Sequence, residues 1–369
     1  MKGFLTLLLM LFVVGPASAA QCGWPAWESY RQAFVSADGR VVDPSTEQRI
    51  TTSEGQSYGL FFALVANDRA GFDRMLRWTQ DNLAGGDLSR QLPAWKWGRG
   101  EGGHWQVLDA NNASDSDLWI AYSLLEAGRL WRQPAYEKLG LNILWLSAAQ
   151  SLRKLPGLGL MLLPGGQGFD STDGWRLNPS YLPPQLLARF AQVAPVWSEL
   201  ESNAQRLLVQ GSPNGLAPDW LVWRTGQGWT ADSVTGAKGS YDAIRVYLWL
   251  GMLAEDAPGK VELIEHFQPM LALTKRLGAV PEKVDTHTSV EVGKGPVGFS
   301  AALLPMLASA PGDAQALKAQ RERLREESPA PDAYYNRSLM LFGQGWDERR
   351  YRFDARGRLI PTWTRPCKK

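Results

Sequence analysis

Thr51-Thr52-Ser53-Glu54-Gly55-Gln56-Ser57-Tyr58-Gly59-Leu60-Phe61-Phe62-Ala63-Leu64 is the stretch from which this chain reads most directly. A carboxylate, Glu54, sits among small hydroxyl and glycine residues just ahead of an apolar run at helical spacing. Ser53 and Ser57 are candidate caps for that helix start, and Glu54 lies at its mouth. Burial at such a place raises a carboxyl pKa, whereas the helix dipole lowers it. A general acid that holds its proton near neutral pH needs burial to prevail. The competing reading is an ordinary acid in a capped helix start, so the role of Glu54 turns on its company elsewhere in the chain.

The same periodicity runs through the sequence. Apolar residues recur at three and four positions over 24–35, 58–65, 72–83, 118–130, 134–152, 183–193, 197–209, 241–254, 261–277, 299–307, 313–327 and 333–342. About a dozen helices with no parallel-strand pattern between them imply an all-α fold, with short pieces such as Leu221-Val222-Trp223-Arg224 as local strands in loops. Twelve helices suit six antiparallel hairpins closed into a ring. Long connections rich in Gly, Pro and Trp, at 84–112, 156–180 and 283–297, are where function is expected.

Met1-Lys2 followed by the apolar 3–14 and the small residues Ala17-Ser18-Ala19-Ala20 reads as a cleaved secretory signal over 1–20. The expected mature chain, 21–369, is one domain that is exported, periplasmic or secreted, with no membrane insertion. Cys22 and Cys367, near opposite ends of it, suit either a disulfide or two free thiols. Only His104, His266 and His287 accompany them, too scattered for a zinc cluster, and no phosphate or dinucleotide fingerprint occurs. Lys plus Arg number 39 against 37 Asp plus Glu, so no general attraction for nucleic acid is expected. Tryptophan is the outlier at 17, with Trp95, Trp97, Trp105, Trp175 and Trp220 in polar or Gly/Pro-rich segments. Indole faces pack on the C–H faces of sugar rings, which points to a neutral, sugar-like ligand.

Three segments share one local style, an acid at the start of an apolar helix: Glu54, Asp115 with Asp117, and Asp242. If the helices start at the same end, these acids converge on one rim. Two carboxyls in different surroundings then divide labour, one protonated and one ionised, as glycoside hydrolysis requires. Helix capping is the alternative for each acid taken singly. Arg245, one turn beyond Asp242, is placed to keep it ionised, which suits a base.

Ala113-Ser114-Asp115-Ser116-Asp117-Leu118-Trp119-Ile120-Ala121, running on to Trp131, resembles the signature of glycoside hydrolase family eight, with Ser116 where Ala or Gly is usual. Ser53-Glu54-Gly55-Gln56-Ser57-Tyr58-Gly59 is similar to the family's general-acid segment, and Ser240-Tyr241-Asp242-Ala243-Ile244-Arg245 to its general-base segment. Tyr334-Tyr335-Asn336 with Leu341-Phe342-Gly343 resembles a late family block, and order and spacing match over the whole mature chain. Within the family the likeness is to periplasmic endoglucanases encoded beside bacterial cellulose synthases. The resemblance implies an (α/α)6 barrel that cleaves β-1,4-glycosidic bonds with inversion, without metal or other cofactor. It makes Glu54 the general acid, Asp242 the general base, and Asp115 the residue holding the sugar ring distorted.

Trp97, Trp105 and Trp175 are candidate stacking platforms, with core or loop packing as the alternative for each. Tyr181, Tyr241 and Tyr334 are candidate partners of sugar hydroxyls or the attacking water. Arg245 is expected to support Asp242, and Asp117 to be a supporting acid or a cap. The expected partner is a β-1,4-glucan acted on by a monomer, with functional association with cellulose synthase or export machinery. Chitosan, xylan or mixed-linkage glucan are alternative substrates. A polysaccharide lyase or a non-catalytic glycan-binding protein are the alternatives of other classes.

Overall fold

Sequence periodicity becomes structure in a computed structural model describing residues 23–172, 174–310 and 312–365. Helices occupy α1 (Pro25–Phe34), α2 (Ser53–Val65), α3 (Arg69–Leu83), α4 (Ser114–Trp131), α5 (Pro134–Ser151), α6 (Pro184–Ala191) and α7 (Pro195–Gln210). They continue with α8 (Ile244–Gly251), α9 (Lys260–His266), α10 (Gln268–Leu277), α11 (Val297–Ser309), α12 (Ala314–Glu326) and α13 (Tyr334–Asp347). The expected signal segment and both cysteines lie outside the described residues.

Burial sorts the helices into two layers. Nearly every residue of α2, α8 and α11, and fifteen of eighteen in α4, is buried, as for helices that are apolar all round. By contrast α3, α5, α7, α10 and α12 bury one stripe each and face solvent with the other. The inner helices neighbour one another in the order α2, α4, α6, α8, α11, α13. Phe342 of α13 then closes the ring against Tyr58 and Phe62 of α2, at centroid distances of 4.9 and 4.6 Å. Trp119, Trp249 and Phe342 fill the axis, 5.2–5.4 Å from one another. This is the expected (α/α)6 barrel.

Connections differ at the two ends of the barrel. An inner helix reaches the next outer helix by a short turn, such as residues 132–133 between α4 and α5. Outer helices α1, α3, α5, α7 and α10 return to the next inner helix by longer excursions that carry strands, whereas α12 reaches α13 through residues 327–333 without one. Thr51–Thr52, Lys96–Arg99 and Trp105–Asp109 form one antiparallel sheet; Asp170–Ser171, Gly174–Leu177, Leu221–Arg224 and Gly228–Ala231 form another. Lys238–Gly239, Pro281–Asp285 and Glu291–Lys294 form a third. All three sheets therefore belong to segments leading into inner-helix N-termini, and they build the rim above those starts.

The helix boundaries show what competes with periodicity. The single helix expected over 261–277 is two, α9 and α10, because Pro269 near the start of α10 has no N–H to continue the first. The helix expected from 241 starts at Ile244, because the Asp219 carboxylate captures the backbone N–H groups of Ser240, Asp242 and Ala243. Helix α2 is capped by Thr52, whose side chain accepts from Gly55 N at 3.0 Å, rather than by Ser53 or Ser57. Ser57 instead donates to the Glu54 carbonyl.

Candidate active site

The first turns of α2 and α4, and the turn before α8, bring Glu54, Asp115 and Asp242 to one end of the barrel. Arg245, in the first turn of α8, joins them. Its Nη1 donates to Glu54 Oε2 and its Nη2 to Asp242 Oδ1 at 2.7 Å. The same Nη2 donates to Ser180 Oγ at 3.0 Å, and Nη1 lies 3.4 Å from the Tyr58 hydroxyl. One guanidinium thus spans two acids that are far apart in sequence. Two hydrogen bonds of about 3 Å plus the guanidinium width limit the gap between their nearest oxygens to about 8 Å. That ceiling admits the spacing of inverting pairs, about 6.5–9.5 Å between carboxyl groups.

Exposure divides the cluster. The Glu54 and Asp242 side chains keep 22% and 31% of their surface open, whereas Arg245 keeps 3%. Asp115 is buried at the floor, its Oδ1 accepting from Ser116 N at 2.7 Å and Ser116 Oγ at 3.2 Å. Burial, and next the charge of Glu54, push the Asp115 carboxyl up to about 7 against the pull of Arg245. Burial also pushes Asp242 above the usual carboxylate range; Arg245 pulls it down, while Asp219 and Glu54 push it up. The site therefore holds one buried carboxyl raised to about 7, Asp115, beside a second, Asp242, bound to a cation.

Asp117, expected as a supporting acid or a cap, does not cap α4. It is buried, and its Oδ2 accepts from Asn112 Nδ2 at 2.6 Å. Burial pushes its carboxyl well above the usual range. Asn112 in turn accepts from Gln150 and from Gly166 N, so Asp117 ties the loop before α4 to the helix start.

The expected aromatic residues scatter. Trp105 is 42% exposed and stacks 5.2 Å from Trp97 with the rings 8° from parallel. Trp97 stands edge-on to Trp78, and the Arg40 guanidinium lies 4.4 and 4.5 Å from the two stacked rings. Trp105 is thus the exposed ring of the stacked pair and Trp97 the half-buried one. Tyr181 packs edge-to-face on Trp220 at 5.8 Å and lies 5.8 Å from the Arg245 guanidinium. The Tyr241 ring is exposed beside Asp242 and rests on Phe299 at 5.0 Å.

Two expectations need correction. Trp175 is half-buried on the core and pairs with Trp223 in the four-stranded sheet. Its neighbour Arg176 lies over Trp220, and alternation along a strand turns Trp175 to the opposite face. Tyr334 is buried among Tyr30 and Phe34. Its hydroxyl lies under the first turn of α2, where a Cβ on Gly55 would come within 2.7 Å of it. The next residue, Tyr335, reaches the site instead, donating to the Tyr241 carbonyl at 2.6 Å.

Residues to which the sequence assigned no individual role complete the site. Trp220 Nε1 donates to Asp242 Oδ2 at 3.0 Å. Asp219 holds the backbone of the Asp242 turn, and Ser180 and Tyr58 contact Arg245. Tyr58 lies within the Ser53–Gly59 segment, whereas the contacts of Asp219, Trp220 and Ser180 are long-range and carry no local motif. Among the described residues no group of His, Cys, Asp and Glu is placed to hold a metal ion.

A family model described as glycosyl hydrolases family 8 matches residues 1–349. The endoglucanase of Escherichia coli K12 is 49% identical over 361 residues, covering 98% of this chain and 97% of that protein. That of Xanthomonas axonopodis pv. citri is 51% identical over 357 residues, covering 95% and 92%. The crystal structure of an endo-1,4-D-glucanase from Vibrio fischeri is 44% identical, with TM-score 0.88 over 93% of this chain and all of that one. A cold-adapted family 8 xylanase shares the fold at 16% identity, TM-score 0.69, covering 87% and 89%. With three carboxylates gathered at one end of an (α/α)6 barrel and a family match over most of its length, the chain belongs to glycosyl hydrolase family 8.

Proposed function

We propose that the protein is an inverting endo-β-1,4-glucanase that cuts cellulose chains by general acid/base catalysis. Glu54 protonates the leaving glycosidic oxygen, Asp242 removes a proton from the attacking water on the opposite sugar face, and Asp115 holds the intervening ring distorted. The observation that carries this reading is the shared guanidinium. Glu54 and Asp242, both partly open to solvent, are held by the two amino groups of buried Arg245, an arrangement whose ceiling of about 8 Å is compatible with an inverting pair. Proton transfer and positioning then supply the barrier reduction. The relatives' endoglucanase names favour glucan over the other β-1,4 polymers.

The apolar leader and the likeness to cellulose-operon enzymes extend the proposal: the protein is exported to the periplasm and, as a monomer, trims glucan beside the synthase and export machinery. No helix among the described residues is long and apolar enough to cross a membrane. The test is viscometry with carboxymethylcellulose. The mature protein is expected to lower viscosity faster than it releases reducing ends, with the α-anomer as first product by NMR. Unchanged viscosity while another polymer is cut refutes the substrate, and an initial β-anomer refutes inversion.

A further inference from the structure

A tryptophan beside a glycosidase base invites assignment as a sugar platform. Trp220 has another geometry. The Phe169 ring stacks on it at 5.9 Å with the planes 4° apart, and the Arg176 guanidinium lies 3.8 Å from its centroid. Arg176 cannot swing away freely. Its Nε and Nη2 donate to the two oxygens of buried Asp232, at 2.9 and 3.2 Å. Asp232 is itself fixed by the Thr235 N–H and hydroxyl, both at 2.9 Å. The partly buried indole thus already carries a ring and a guanidinium of the protein, and the edge of the ring is aimed. Its N–H meets Asp242 Oδ2 at 3.0 Å.

The preceding residue works on the same target from below. Buried Asp219 accepts from Asp242 N at 3.1 Å, Ala243 N at 2.9 Å and Ser240 N at 2.7 Å. It also accepts from the Ser240 hydroxyl. Asp242 lies in a turn ahead of α8, not within the helix, so these contacts fix its backbone. Its carboxylate takes Arg245 on Oδ1 and Trp220 on Oδ2, and the Asn178 side chain beside it also favours the charged form. Two donors on different oxygens set the plane of the group.

We propose that Trp220 is a positioning residue of the general base: its ring N–H aims the Asp242 carboxylate while Asp219 fixes the backbone beneath it, and its face stacks on no sugar. The proposal rests on the assignment of Asp242 as the base. A hydrogen bond to the charged form favours that form, so its removal raises the pH at which the base is lost. Asp219 acts with the opposite sign, because its negative charge pushes Asp242 up. Adjacent residues therefore move the acidic limb of the pH–rate profile in opposite directions.

Turnover of cellohexaose is measured across pH for the wild type, Trp220→Phe and Asp219→Asn, with melting temperatures as the folding check. Trp220→Phe keeps an aromatic face and loses only the donor. Its kcat is expected to fall about tenfold or more with KM within about twofold, and its acidic limb to rise by about one pH unit. Asp219→Asn retains one acceptor oxygen and is expected to shift the limb downward. Arg176→Gln, which frees the indole without touching Asp242, should reproduce the Trp220→Phe signature more weakly if that variant folds poorly. A raised KM with an unmoved limb makes Trp220 a sugar platform and overturns the proposal, as do limbs moving in the same direction. A wild type idle on cellohexaose refutes the glucan reading alone, and the variants are then read on the β-glycan it does cut. Full activity in Asp242→Asn refutes the base assignment itself.

Discussion

Replacing Asp115 by Asn should stabilise the folded protein while crippling it. Asp115 is buried, and burial with the Glu54 charge pushes its carboxyl to about 7, from 3.8 when exposed. The folded state therefore binds this proton more tightly than the unfolded state. The stability tied to the neutral carboxyl is present below pH about 4 and lost as pH rises through about 7. Roughly three pH units at about 1.4 kcal/mol each give a ceiling of about 4 kcal/mol at pH 8, falling to about 1 kcal/mol at pH 4.5. An amide never ionises, and its oxygen retains the role of acceptor for Ser116 N. Its own burial costs part of the gain, so about 2 kcal/mol at pH 8 is the working figure. Urea unfolding of wild type and Asp115→Asn at pH 8 and pH 4.5 measures it, beside kcat on cellohexaose. A variant less stable than wild type at pH 8, or one whose advantage is equal at both pH values, would refute the reasoning.

Glu54→Gln and Asp242→Asn should each lower kcat by about 10²–10⁴-fold, the usual scale of general acid–base catalysis, with cellohexaose affinity by calorimetry nearly unchanged. At Gly343 a Cβ would lie 1.8 Å from the Ala301 carbonyl oxygen, where α13 crosses α11. Gly343→Ala must push those helices apart and should cost about 1–3 kcal/mol or more, read as a lowered melting temperature.

Legibility in the sequence followed the range of each interaction. The apolar runs of α2, α4 and α11 gave helices because burial on all sides leaves an unmistakable pattern, and Leu221–Arg224 was readable as a strand from its composition. The three acids were legible as helix-start residues. Their convergence was not, because it depends on α2, α4 and α8 starting at one end of a closed ring. Asp219 displays no motif, since it acts on a turn more than twenty residues away. Tyr334 and Tyr335 are adjacent aromatic residues with identical local surroundings, and only tertiary packing sends the first under Gly55 and the second to Tyr241. Trp175 was misplaced for a related reason: which face of a strand meets the cleft is set by the sheet, not by the residue.

Charge explains why these acids work as a group. Glu54, Asp115 and Asp242 gather around one buried cation, Arg245, which contacts the first and the last. Like charges about 8 Å apart at an effective dielectric of 20 repel by about 2 kcal/mol, so carboxylates sharing one cation favour retention of a proton. That is what glycoside hydrolysis demands, a neutral acid and a charged base in one small volume. Because the groups are coupled, the limbs of a pH–rate profile belong to the cluster and not to single residues. The Glu54 charge is among the influences holding Asp242 up. The residual activity of Glu54→Gln should therefore show its acidic limb at lower pH than wild type. An unmoved limb, measured with an activated aryl cellobioside that needs no protonation of the leaving group, would mean the two carboxyls do not sense one another.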